Sequence, residues 1–475
     1  MMIAQARAFH VLALSLALAG YGFSPAKAQD VITKQYDNGG VYEGTFKDGK
    51  QDGSGTYTLP NGYQYEGDWK AGVIEGQGTA RYPNGSVYVG GFVAGKPEGK
   101  GKITFGDGGT YEGDWLEGQM TGSGEVHYAN GVVYRGGLVK AVHNGKGVVE
   151  DPGGYRYEGD WVSGEKHGSG AVTYPDGSVY VGQMAQDQRN GTGKLTLKDG
   201  TVFDGTWTAG RIGGVGKIHL NGGDTYEGDL VDGVQQGRGR ATYANGDLYV
   251  GAFQAGKRHG KGTFTAKSGT VYEGGWVDGR IEGEGGITYP GGSRYVGRFL
   301  DGQPHGKGKI TYADGTSYDG DWVKGVIEGM GVATYKGNQS YAGQFVAGLQ
   351  QGKGKMTFAD GYVYEGDWQA GQRQGVGRAT YADGSVYQGQ FTDGKRDGLG
   401  TLRMADGFVY SGEWTVGEMD GVGMATYPNG DVYQGGFVGG KRQGKGTLRY
   451  ATGQEAEGKW INGELLRDGL TTSEN

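Results

Sequence analysis

The chain of 475 residues contains no cysteine, so it holds no disulfide framework, no thiolate metal site, no cysteine nucleophile and no thiol for lipid attachment. Histidine is scarce, at 7. Three of the seven, His167, His259 and His305, share one position of a repeat, which places them in hairpin loops. In a sheet, His259 and His305 would stand about 19 Å apart, too far to share a metal. A phosphate loop, a metalloprotease helix, a G-x-S-x-G elbow and a calcium loop are all missing. The many Gly-x-Gly stretches have no helix after them to receive a phosphate. Carboxylates such as Glu66 and Asp68 recur in a regular ladder, which singles out no pair for glycoside chemistry. The reading is of a chain without catalytic residues, cofactor or metal.

What the chain has in abundance is glycine, 107 residues, with 12% aromatics. Glycine at that level without order would indicate low complexity, but here it is periodic. The stretch YEGTFKDGKQDGSGTYTL at Tyr42 recurs every 23 residues, with anchors at Tyr65, Tyr88, Tyr111, Tyr134, Tyr157, Tyr180, Phe203, Tyr226, Tyr249, Tyr272, Tyr295, Tyr318, Tyr341, Tyr364, Tyr387, Tyr410, Tyr433 and Ala456. Nineteen copies without insertion or deletion predict a stacked array in which each unit touches mainly its neighbours.

Within a unit, Tyr65-Glu66-Gly67-Asp68-Trp69 and then Gly76 to Tyr82 alternate as half-buried strands do. KAGVIE lies between them and Pro83-Asn84-Gly85 follows, with Asn-Gly supplying the positive φ angles of a hairpin turn. The closing turn carries Gly in every copy but one, where Asn338 stands, a residue that also tolerates the left-handed region. The expected fold is all-β: an elongated single-layer antiparallel meander of hairpins, about 180 Å along the sheet, less if it coils. Tyr65, Gly67 and Trp69 share one face with Gly76, Gly78, Ala80 and Tyr82, so the glycines read as sockets for rings.

YEGDW, GxxxGxG and DG in 23-residue units resemble the MORN repeat family, from Tyr42 to about Gly463. The resemblance implies a rod-like twisted sheet used in scaffolding, self-association or attachment near membranes, without catalysis. The departures are Leu138, Met184 and Leu230 at the second aromatic, Ala141 and Asp187 at the loop glycine, and Ala456 and Arg467 at the end. Most fall between residues 134 and 233, where a softer or kinked segment is expected.

A second period lies inside the first. All nine tryptophans, Trp69, Trp115, Trp161, Trp207, Trp276, Trp322, Trp368, Trp414 and Trp460, hold one repeat position, mostly every 46 residues. They form an aromatic ladder and a candidate interaction face. Ala80, Ala333, Ala379 and Ala425 in Trp copies alternate with larger residues in the others, the complementarity of a packed layer within or between chains. Lys100, Lys146, Arg238, Lys261, Lys307, Lys353 and Lys445 fall only in copies without Trp. This basic row is a candidate contact for anionic lipid or polymer, weakened by interleaved acids.

Arg7, the apolar run from Val11 to Gly20 and Ala26-Lys27-Ala28 read as a signal peptide cleaved after Ala28. The division expected is residues 1–28 signal, 29–41 lead-in or partial capping repeat, 42–463 array and 464–475 a frayed tail. With a formal charge of −7, an acidic exported chain is not expected to bind nucleic acid. The expected role is an exported scaffold of the periplasm or cell envelope that self-associates, as a homodimer, and holds another envelope protein. A cell-wall glycan on the Trp ladder and an anionic membrane on the basic row are the alternatives.

Overall fold

The computed structural model describes residues 30–466. The expected signal segment 1–28 and the end of the tail, with Arg467, lie outside the described residues. Among the described residues there are thirty-nine strands and a single turn of 3₁₀ helix, Lys336–Asn338. Among the described residues no helix is long and apolar enough to cross a membrane.

The chain divides into two compact units at Pro175 and Asp176, with Met184–Asp187 counted in the first. In the first unit, consecutive strands from Ile32–Gln35 to Glu165–Thr173 pair antiparallel with one another. In the second, consecutive strands from Gln188–Thr196 to Glu464–Leu465 do the same. Each is a one-layer meander of hairpins, as the alternation predicted.

Each hairpin but the last joins a strand of seven residues, such as Gln64–Lys70, to one of nine, such as Val73–Arg81. The turn between them is only Ala71-Gly72, both left-handed at φ 51° and 91°. Positive φ at both central residues matches the twist of the flanking strands, which is why so tight a turn closes the hairpin. The predicted loop KAGVIE therefore shrinks to two residues, because Val73 and Ile74 already pair in the second strand, which Glu75 continues. His167, His259 and His305 move with it: they sit in strands Glu165–Thr173, Lys257–Thr265 and Gln303–Thr311, not in loops.

The second strand is longer because it bulges. Gly67 pairs with Gly78 and Trp69 with Ile74, so Asp68 alone opposes three residues. Gly76, at φ 115°, makes the bend, and a Cβ there would meet Asp68. Gly76 thus belongs to the bulge on the Asp68 side, a correction to its expected place among the ring sockets; the bulge resets the alternation between Ile74 and Gly78. Asp68 Oδ2 accepts the N–H of Gln77 at 2.8 Å, so the bulged backbone is satisfied.

In the closing turn only the glycine is left-handed: Gly85 at φ 85°, while the Asn84 side chain accepts the Ser86 N–H. Asn338 takes the glycine's place at φ 62°. The lead-in strand Ile32–Gln35 pairs with Val41–Lys47. At the other end Glu464–Leu465 still pairs with Glu455–Ile461, and Leu465 covers Gly458, the socket that Ala456 leaves empty.

Candidate functional site

One face of each unit is a layer of rings. In the Tyr364 copy the phenol donates to the Asp367 carbonyl at 2.9 Å, and a Cβ on Gly366 or Gly377 would run into the ring or the facing glycine. All seventeen tyrosine anchors make this hydrogen bond to the carbonyl three residues on. Burial pushes the phenols up, to about 12 at Tyr88, Tyr341 and Tyr387. Phe203, with no hydroxyl to donate, leaves its socket: Ile212 lies over Gly205, Leu230 over Gly216, and the Phe203 ring reaches toward Gly233.

The tryptophans clip neighbouring copies together. Every indole Nε1 donates to a glycine carbonyl fourteen residues earlier, from Trp69 to Gly55 through Trp460 to Gly446. The rings meet edge to face, as in Tyr364 with Trp368 at 5.3 Å and with Phe391 at 4.9 Å, the arrangement favoured by ring quadrupoles. From Tyr226 to Trp460 this chain of contacts is unbroken. Leu138 and Leu230, within the segment expected to be softer, carry no ring to continue it. The nine indoles are only 3% to 8% exposed. The candidate Trp face is therefore packed within its own chain, and offers a sugar no flat ring to stack upon.

What covers it was not read from the sequence. Nine residues after the anchor, several copies carry a side chain that lies over the rings. In five copies it is arginine, at 189, 258, 373, 396 and 442. Arg189, Arg258, Arg396 and Arg442 stack 4.2 to 4.3 Å over Trp207, Trp276, Trp414 and Trp460. All five also donate to the carbonyl of the glycine in the next hairpin turn. The signal was present, because Arg recurs at one repeat position, but Ile, Gln and Pro at the same position hide it. In the copy at Tyr134 the cover is His143, stacked 3.6 Å from Tyr134, with burial holding its pKa down.

The residue after this cover binds the next hairpin turn. Glu98 accepts the N–H of Glu117 at 2.8 Å and Glu328 that of Ala347 at 2.9 Å. His167, His259 and His305 occupy the same position. His259 Nδ1 lies 4.0 Å from Asp278, the turn residue of the next copy.

The opposite face is polar and runs over the bare backs of the paired glycines. Four of the seven basic candidates are neutralised across the sheet: Lys100, Lys146, Lys307 and Lys353 reach Asp114, Asp160, Asp321 and Asp367 at 2.5 to 2.6 Å. Those lysines hold the aspartate pKa values down. Their side chains are exposed, so the pairs contribute little to stability. Arg238 faces Ala252, Lys261 faces Gly275 and Lys445 faces Lys459. The row is thus no continuous basic stripe. In the second unit exposed apolar side chains are interleaved with these pairs on the same face: Val323, Val326, Met330, Val332, Val346 and Leu349 are 41% to 56% exposed. A groove of about 900 Å³ crosses this area, floored by Gly331, Gly343, Gly354 and Gly366.

In structure the chain is similar to the TCP10 domain of CPAP from Danio rerio in complex with a peptide of STIL, at 16% identity. That likeness covers 51% of this chain and 93% of the other, with a TM-score of 0.24. The TCP domain of SAS-4 from Drosophila melanogaster, in complex with a proline-rich motif of Ana2, is 15% identical over 36% of this chain and 86% of its own, with a TM-score of 0.22. A virginiamycin B lyase from Staphylococcus aureus is 10% identical over 71% of this chain and 94% of its own, with a TM-score of 0.11. No curated protein matches the chain. The family model for the MORN repeat matches seventeen stretches, from 42–62 to 433–455, and passes over the copy at Tyr134 and the last one at Ala456. Those two are the copies that depart at Leu138 and Ala141 and at Ala456. Residue pattern, hairpin geometry and family model agree, and the chain belongs to the MORN repeat family.

Proposed function

We propose that this chain is a non-catalytic interaction scaffold, exported to the periplasm or cell envelope, which self-associates as a homodimer and holds a second envelope protein. The observation that carries the reading is the division of labour between the two faces. The ring face is spent on holding the array together. The glycine-backed face is open, and around Met330 exposed apolar side chains stand beside the Lys307–Asp321 and Lys353–Asp367 pairs. A repeat array with one face closed and the other varied along its length is suited to contact. The apolar area on the open face supports self-association there, in place of the ring face.

The test is recovery of partners from an envelope fraction with the intact array as bait, beside light scattering of the purified chain. A dimer that Met330→Glu and Val326→Glu convert to monomer, with a crosslinked envelope protein, is the expected result. A strict monomer at micromolar concentration from which crosslinking recovers nothing would refute the reading.

A further inference from the structure

On the ring side of the second unit, two arginine covers follow one another in successive copies, Arg373 and Arg396. Elsewhere an arginine cover is followed by another residue type: Arg189 by Ile212, Arg258 by Ile281 and Arg442 by Leu465. Where the two adjoin, the surface opens into a cleft of about 830 Å³ whose lining includes both arginines, Lys395, Tyr362, Tyr381 and Met404. The corresponding cleft at the solitary Arg258 measures about 320 Å³.

The two guanidinium groups are held rigidly and incompletely used. Arg396 lies 4.2 Å over Trp414 and gives one N–H to Gly417 O at 2.7 Å. Arg373 donates to Gly394 O and to the Tyr362 hydroxyl. A guanidinium carries five N–H groups, so both keep donors for a ligand. Neither has a carboxylate partner among the described residues. The acids at the rim, Asp360 and Asp383, are occupied by their own turns, accepting from Tyr362 N at 3.0 Å and from Ser385 N at 2.9 Å. Twenty-three residues and two strands separate the arginines, about 10 Å at sheet spacing, the span of a ring and its substituent. Volume, flat walls and preorganised cationic forks are the properties of a small-molecule site.

We propose that this cleft binds a flat ring compound carrying a carboxylate or phosphate, with the anion on the edges of Arg373 and Arg396 and the ring against Tyr381 and Met404. The site is independent of the scaffold reading, since it lies on the ring side and needs no macromolecular partner.

The test uses the full chain with three probes, phenyl phosphate, benzoate and phenol, followed by calorimetry and by tryptophan emission, which Trp414 beneath Arg396 makes sensitive to occupancy. Saturable binding of either anion but not of phenol is expected, and the stronger of the two identifies the anionic group. Arg373→Gln with Arg396→Gln should weaken it roughly tenfold or more, while Arg258→Gln leaves it unchanged and controls for removing a cover elsewhere. If circular dichroism shows the glutamine pair unfolded, the paired substitution Arg373→Lys and Arg396→Lys is read instead, keeping the charge but losing the fork, with a smaller loss expected. Absence of saturable binding by both anions, equal binding of phenol, or unchanged affinity in the paired variant would each overturn the proposal.

Discussion

The copies that begin at Phe203 and at Tyr364 share strands, turns and register, yet their ring layers are built differently. Tyr364 lies in its glycine socket with its hydroxyl on the Asp367 carbonyl. Phe203, one oxygen short, has given the socket to Ile212 and Leu230. Both rings are apolar enough to seek cover, so hydrophobicity does not decide the matter. The hydroxyl does, since the carbonyl it meets would otherwise face a ring that cannot donate. Glycine makes the socket, and the phenol oxygen determines that a ring fills it.

The largest consequence is a dependence on alkaline pH. A phenol whose pKa is raised from 10 in the folded state loses its proton later than in the unfolded chain. The stability it contributes is complete below pH 10 and is lost as pH rises through its folded value, about 12 for Tyr341 and Tyr387. The Tyr copies are expected to open together between pH 10 and about 12, followed by phenolate absorbance and circular dichroism. The Phe203 copy contributes no such proton, and an array indifferent to pH throughout that window would break the comparison.

Next in size is crowding of the socket. Gly377→Ala drives a Cβ into the Tyr364 ring and should cost about 3 kcal/mol, read as faster amide exchange in that copy. Gly205→Ala meets its nearest atoms at 3.1 and 3.2 Å and should cost about 1 kcal/mol. Equal effects would mean that the two sockets do not differ. Exchanging the anchors sharpens the point: Tyr364→Phe should lose about 1 kcal/mol, and Phe203→Tyr should gain about as much if the new hydroxyl reaches the Thr206 carbonyl. Urea unfolding of both variants checks the opposite signs.

The smallest effect concerns the hairpin turn. Ala141 stands at φ 63° where glycine is usual, and Ala141→Gly should stabilise that copy by about 0.5 to 1 kcal/mol by releasing left-handed strain. A loss measured in the same unfolding assay would show that the alanine methyl is supported by contacts.

Much of this was legible in the residues. The 23-residue count, the glycine sockets and the turn at Asn338 follow from periodicity and from which residues accept positive φ. The loop was read too long, because KAGVIE has no composition that marks where pairing resumes; Val73 and Ile74 pair only because Ala71 accepts a left-handed conformation. The bulge was missed for a related reason. Gly76 and Gly78 look alike in sequence, and only the opposed Asp68 carboxylate and its hydrogen bond to Gln77 separate their faces.

The amino-acid order alone determined that this is a hairpin array, how many copies it has and which positions carry rings, because steric permission and alternation act on neighbouring residues. Only the folded sheet decided whether those rings are on offer. That depends on Arg396 over Trp414, Trp368 bonded to Gly354 and Ile212 in place of Phe203, each a contact that a side chain makes with another strand and whose distance no local pattern encodes.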